Sequence, residues 1–81
     1  MSEIARLREA IQARKFRKME LSGEIDRKLR EIKDLLAGYP LAKIPELKLH
    51  LIAQLAAEAA TLQDKYTGLQ REIELAEKEL I

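Results

Sequence analysis

Cysteine is absent from the 81-residue chain, which excludes disulfide staples and thiolate metal sites and agrees with a reducing compartment. Histidine occurs once, at position 50, with no cysteine and no well-spaced serine or aspartate to form a nucleophile–base pair. With three glycines in all there is no glycine-rich phosphate loop, and no Glu-x-x-His spacing supplies a metal site in a helical bundle. Tryptophan is missing, and the aromatic residues are Phe16, Tyr39 and Tyr66 alone. No apolar run approaches the roughly 20 residues that span a bilayer, and charges are spread through the first residues where a signal peptide has an apolar core. These absences exclude most catalytic chemistries. They imply no cofactor, no metal, no small-molecule substrate and no membrane partner, and the expected location is cytoplasmic.

What remains is an alphabet of Ala, Leu, Glu, Lys and Arg with 36 % charged residues, the composition of long, solvent-bathed helices. From Ile52 onward the apolar residues fall at alternating spacings of three and four: Ile52, Leu55, Ala59, Leu62, Tyr66, Leu69, Ile73, Ala76 and Leu80. This is a heptad seam, a narrow apolar edge that needs another helix against it. The first half of the chain has the same period, with Ile4, Ile11, Ile25 and Ile32 at one heptad position and Leu7, Leu21 and Leu35 at the one three residues later. Between the halves stands the segment Gly-Tyr-Pro-Leu-Ala-Lys-Ile-Pro of residues 38–45. Gly38 suits a left-handed cap, Pro40 forbids simple continuation, and Pro45 has the dihedral favoured in the first turn of a helix.

The fold class predicted is therefore all-α, a single domain over residues 1–81: helix 1 over about 2–37, a connector over 38–45 and helix 2 over about 46–80. A connection this short folds the helices back into an antiparallel coiled-coil hairpin. The seams then match in register, Ile32 with Ile52, Ile25 with Ala59, Ile11 with Ile73 and Ile4 with Leu80. Ser2 is the candidate cap of the first helix, although Ala5 stands where a capping box needs Glu or Gln. Gly23 and Gly68 fall inside the helices, where they are tolerated, ease close packing, or act as hinges.

A domain of this size has a thin core, so further burial between chains is expected, most simply in a homodimeric four-helix bundle. The surplus apolar surface lies beside the turn. The second helix is rich in Leu and Ala from Leu47 to Ala60, and the first presents Ile25, Leu29, Ile32, Leu35 and Leu36 opposite. An apolar arc that wide is normally contacted from more than one side. Leu29, Leu36, Tyr39, Leu41, Ile44, Leu47 and Leu51 are accordingly the candidate partner-binding residues. The competing reading is that Tyr39, Leu41 and Ile44 fold back over this end as a plug.

The seam is interrupted in the first helix by Arg14, Lys18 and Lys28. Leu29 is expected to take the core position beside Lys28, whose ion-pair partner on its own helix is Glu24. Arg14, Lys15, Arg17 and Lys18 form a cluster that the first helix leaves largely unneutralised. Three explanations apply: stems that snorkel along the seam toward Asp64, Glu72 and the Tyr66 ring, polar residues that fix register or partner choice, or a nucleic-acid contact with Phe16 available for stacking. Residues 1–37 hold ten basic and seven acidic side chains and residues 38–81 five and seven, so the whole chain is only +1. A committed nucleic-acid binder is usually far more basic.

Two helices and a turn in a small chain resemble, in outline, the Rop-like RNA-binding dimers, the small type III secretion co-chaperones and the prefoldin-type coiled coils. The likeness is one of architecture, and no functional residue is carried over from them. The function expected is a non-enzymatic protein–protein interaction module, a small adaptor or co-chaperone-like subunit. The alternative is a Rop-like nucleic-acid-binding dimer that uses Arg14, Lys15, Arg17 and Lys18.

Overall fold

Ser2 caps the first helix, as expected of a serine at this position. Its backbone is extended and its hydroxyl accepts a hydrogen bond from the Ile4 N–H at 3.1 Å, which satisfies one of the free donors of the first turn, while Glu3 stands near the positive end of the helix dipole. From there α1 runs Glu3–Leu35 without interruption. In the computed structural model, which describes residues 2–39, 41 and 43–80, a second helix, α2, spans Leu49–Lys78 and packs back along α1. The result is an all-α helical hairpin measuring 63 × 16 × 14 Å.

The connection is longer than the sequence implies. α1 ends in a tightened turn, where the Leu36 N–H donates to the carbonyls of Ile32 and Lys33 and the Tyr39 N–H to that of Leu36, the usual way a helix end reduces its unpaired carbonyls. Pro45 does not open α2 but sits in a separate 3₁₀ turn, Ile44–Glu46. That turn closes on itself: the Glu46 N–H donates to the Lys43 carbonyl at 2.9 Å, the Leu47 N–H to the Ile44 carbonyl at 3.1 Å, and the Lys43 N–H to the Glu46 carboxylate at 3.3 Å. Leu47 is extended, so the helical path breaks there and α2 starts three residues later than residue 46. The expected role of Pro40 lies outside the described residues.

The register of the seam is as read from the sequence. Ile11 packs with Ile73 and Ala76, and Leu7 and Leu80 lie against the same cluster. The numbers of facing residues add up to 84 to 86 along the hairpin, as for Ile11 with Ile73, Lys18 with Tyr66, Arg14 with Glu72 and Lys28 with Glu58. The buried residues are Ile11, Leu21, Leu55, Ala59, Ile73 and Ala76, all of them seam positions, with Leu21 the most enclosed at 1 % exposure. Ile4, by contrast, lies at the open end and is more than half exposed.

Gly23 and Gly68 both lie within unbroken helix, and a Cβ added at either meets no heavy atom within 4 Å. Close helix approach therefore does not require them. Among the described residues, no helix is long and apolar enough to cross a membrane.

Candidate docking groove and basic patch

The two sides of the seam differ in chemistry. On one side the helices are tied by charge. Lys28 reaches Glu58 across the hairpin at 2.6 Å and Arg14 reaches Glu72 at 3.2 Å, while Arg17 lies between Glu20 at 3.9 Å and Glu24 at 3.5 Å. Glu58 also accepts from the Gln54 amide at 3.3 Å. The hydrogen bond and charge of Lys28, joined by that amide, hold the Glu58 carboxyl below its ordinary pKa.

The opposite side is open. A groove of about 420 Å³ runs along it near the connector, with Ile25, Leu29 and Ile32 of α1 facing Ala56, Ala59 and Ala60 of α2. Ser22, Gln63 and Tyr66 close its far end. The floor is low because alanines stand on α2 where α1 carries branched side chains. Leu29 forms the rim and is 53 % exposed. Farther from the connector the same side gains charge, with Arg8, Lys15 and Glu77 around a second depression that Ile11 and Leu80 also line; Lys15 lies 3.6 Å from Glu77.

The candidate partner-binding residues fall into three groups. Leu29 lines the groove, and Leu36, two turns along the same side, is part-exposed beside it. Tyr39, Leu41 and Ile44 stand out at the connector with exposures of 66 %, 94 % and 80 %. They do not fold back as a plug. Leu47 is half-buried below them. Leu51 is part-exposed but lies seven residues before Glu58, hence on the charged side, and it does not join the groove. Sequence reasoning singled out the alanines of α2 but missed Ser22, Gln63 and Tyr66 as groove residues. The signal was the seven-residue column beside the seam, Ser22–Leu29–Leu36 on α1 and Ala56–Gln63 on α2.

Two expectations about the cations are corrected. Lys28 pairs with Glu58 rather than Glu24 and stays at the seam, while Leu29 turns outward to the groove rim instead of taking the core position. The basic cluster is also not left unneutralised. Arg14, Lys15 and Arg17 each have a carboxylate within 4.0 Å, and the Lys18 ammonium lies 5.2 Å from the centre of the Tyr66 ring. Along α1 itself, Asp26 and Arg30, one turn apart, pair at 2.9 Å. Two of the four acids that serve the cluster, Glu72 and Glu77, come from α2, and Glu72 and the Tyr66 ring are the partners expected for cations that snorkel along the seam. Phe16, well exposed, borders a shallow depression with Lys15 and Met19. His50 is exposed in the first turn of α2.

The fold and groove define a class, the two-helix hairpin with one charged and one apolar flank. Beyond that class the comparisons give no further identity: the chain matches no protein-family model, and no curated protein or solved structure matches it.

Proposed function

We propose that this protein is a non-enzymatic protein–protein interaction module, a small cytoplasmic adaptor or co-chaperone-like subunit, which docks its connector-proximal groove on another helical surface. A second copy is the simplest such surface. The observation that carries this reading is the groove itself: an apolar trough with small residues on its floor and a half-exposed leucine on its rim. Such a trough is suited to receiving the ridge of another helix. Apolar patches of this kind on soluble proteins commonly mark interaction sites.

No comparable observation favours the nucleic-acid alternative, since Arg14, Lys15, Arg17 and Lys18 all have partners within the chain. Sedimentation equilibrium on the full chain is the primary test, with self-association in the micromolar range expected. A stable monomer at those concentrations refutes the homodimer and directs the search to a different helical partner. Salt-dependent association with generic RNA or DNA at low ionic strength, together with a monomeric state, would replace the interaction reading by the nucleic-acid one.

A further inference from the structure

The open flank is written in two columns of residues spaced by seven, and these columns complement each other. On α1 the column reads Arg8, Lys15, Ser22, Leu29, Leu36; on α2 it reads Leu49, Ala56, Gln63, Gln70, Glu77. Residues seven apart lie on one face of a helix. The groove and the second depression beyond it place Ser22, Leu29, Ala56 and Gln63, then Arg8, Lys15 and Glu77, on this flank.

We infer that this flank is a homodimer interface with its two-fold axis parallel to the hairpin, so that both connectors lie at one end and α1 of each chain lies over α2 of its partner. The inference rests on the interaction reading above and adds the partner's identity and orientation.

Surface area is the first argument. A compact monomer of this mass exposes about 5,000 Å², whereas the hairpin exposes 6677 Å². The excess is roughly twice the ~800 Å² that each partner of a standard interface contributes. One second copy along the flank can therefore remove much of it.

Complementarity is the second argument, and it selects the orientation. A two-fold axis along the hairpin keeps every residue at its own height, so the register within one chain is also the register between chains. Leu36 then meets Leu49 of the partner subunit, Leu29 meets the partner's Ala56, and Ser22 meets the partner's Gln63. Lys15 meets the partner's Gln70 and Arg8 meets the partner's Glu77. Leu29 falls on an alanine and Leu36 on a leucine, a hydroxyl faces an amide, and at Arg8 a cation faces a carboxylate. An axis across the hairpin instead lays α1 on α1 and α2 on α2. With full overlap it brings Leu29 near the partner's Arg8. Slid toward the connectors, it sets alanine on alanine, so that small side chains face each other, and abandons the Arg8–Glu77 pairing. In the connector half, the apolar stretch of each column beside the seam is also the pattern that bundle helices use to face a third neighbour.

The test uses the full chain, whose lack of native cysteine allows a single spin label at Ala5→Cys on the exposed open end. Pulsed electron paramagnetic resonance then measures the distance between the two labels of a dimer. With the axis along the hairpin both labels lie at one end, and a distance below about 30 Å is expected. With the axis across it they lie at least about 40 Å apart, from a rise of 1.5 Å per residue. A dimeric mass with the long distance overturns this arrangement and leaves the interaction reading intact. A monomeric mass at about 100 μM, with no interspin distance, overturns the homodimer itself.

Discussion

Replacing Leu29 by alanine separates what a hairpin buries for itself from what a partner buries. The change removes three carbons, worth about 2.4 kcal/mol on full burial at ~0.8 kcal/mol per methylene. Leu29 is 53 % exposed in the hairpin, so folding of one chain loses about 1.1 kcal/mol, of which alanine's higher helix propensity returns a few tenths. The remaining half of the side chain is covered only on docking. A symmetric dimer contains two copies, so association weakens by about 2.5 kcal/mol, or roughly 60-fold in Kd. Sedimentation equilibrium over the micromolar range measures that change, and urea unfolding measures the loss within the chain.

The control is Leu21→Ala, at a position 1 % exposed, where about 2–5 kcal/mol is lost from folding of the single chain. A Leu29→Ala protein whose Kd stays within about threefold of the parent, while its urea midpoint falls as far as that of Leu21→Ala, would refute the reasoning. Leu29 would then be packed by its own chain, and the groove would not be a docking surface.

Other substitutions test other parts of the structure. Gly23→Ala and Gly68→Ala, each with open space for the added Cβ, should each stabilise by about 1 kcal/mol in thermal melts; a lower melting temperature would show that flexibility or close approach is required there. Arg14→Leu combined with Lys18→Leu should raise stability by about 1 kcal/mol, or Tm by about 5 °C, because part-exposed ion pairs and cation–ring contacts are weak beside apolar seam burial. A fall in Tm would mean that Glu72 and Tyr66 depend on those cations. Leu55→Asp, at a position 7 % exposed, should abolish folding or association, since an unpaired carboxylate is costly in the seam; full helicity and an unchanged sedimentation profile would contradict that. Glu58 has a lowered folded-state pKa, so its pairing with Lys28 stabilises the fold above the ordinary glutamate pKa and is lost as pH falls through the lower value. Glu58→Gln should therefore flatten the acid limb of the pH–stability curve, and an unaltered limb would refute the assignment.

The heptad seam was enough to read the hairpin and its register, because period and pairing are both properties of spacing. Ile11 with Ile73 follows from counting. The helix start at Leu49 was not legible in the same way: Pro45 is an equally good first-turn residue for an α-helix and for the three-residue 3₁₀ turn it occupies. The partners of Lys15 and Lys28 were missed for a related reason. Glu77 and Glu58 lie on the other helix, and charge counting along one helix favours near neighbours over those that folding brings in. The groove was half legible. Its leucines and alanines stood out by composition, but Ser22 and Gln63 became visible only once the side of the seam they occupy was known.

Desolvation, beyond hydrophobicity alone, is what favours that side for the proposed docking. Both flanks of the seam carry part-exposed leucines, Leu51 on one and Leu29 on the other. A partner helix laid on the first would cover Lys28, Glu58, Arg14 and Glu72, four charges already satisfied by each other and by water. Taking paired charges out of water costs several kcal/mol per ion unless new partners are supplied. On the second flank, the connector half presents Leu29, Leu36, Ala56 and Ala60, and charge begins only at Lys15, Glu77 and Arg8. In the proposed homodimer a second copy would meet apolar surface with apolar surface there and set the partner's Glu77 opposite Arg8. The flank tied by charge along its length is thus the one favoured to remain in solvent, and the groove flank, whose connector half carries apolar surface and no ion pair, is the one favoured for docking.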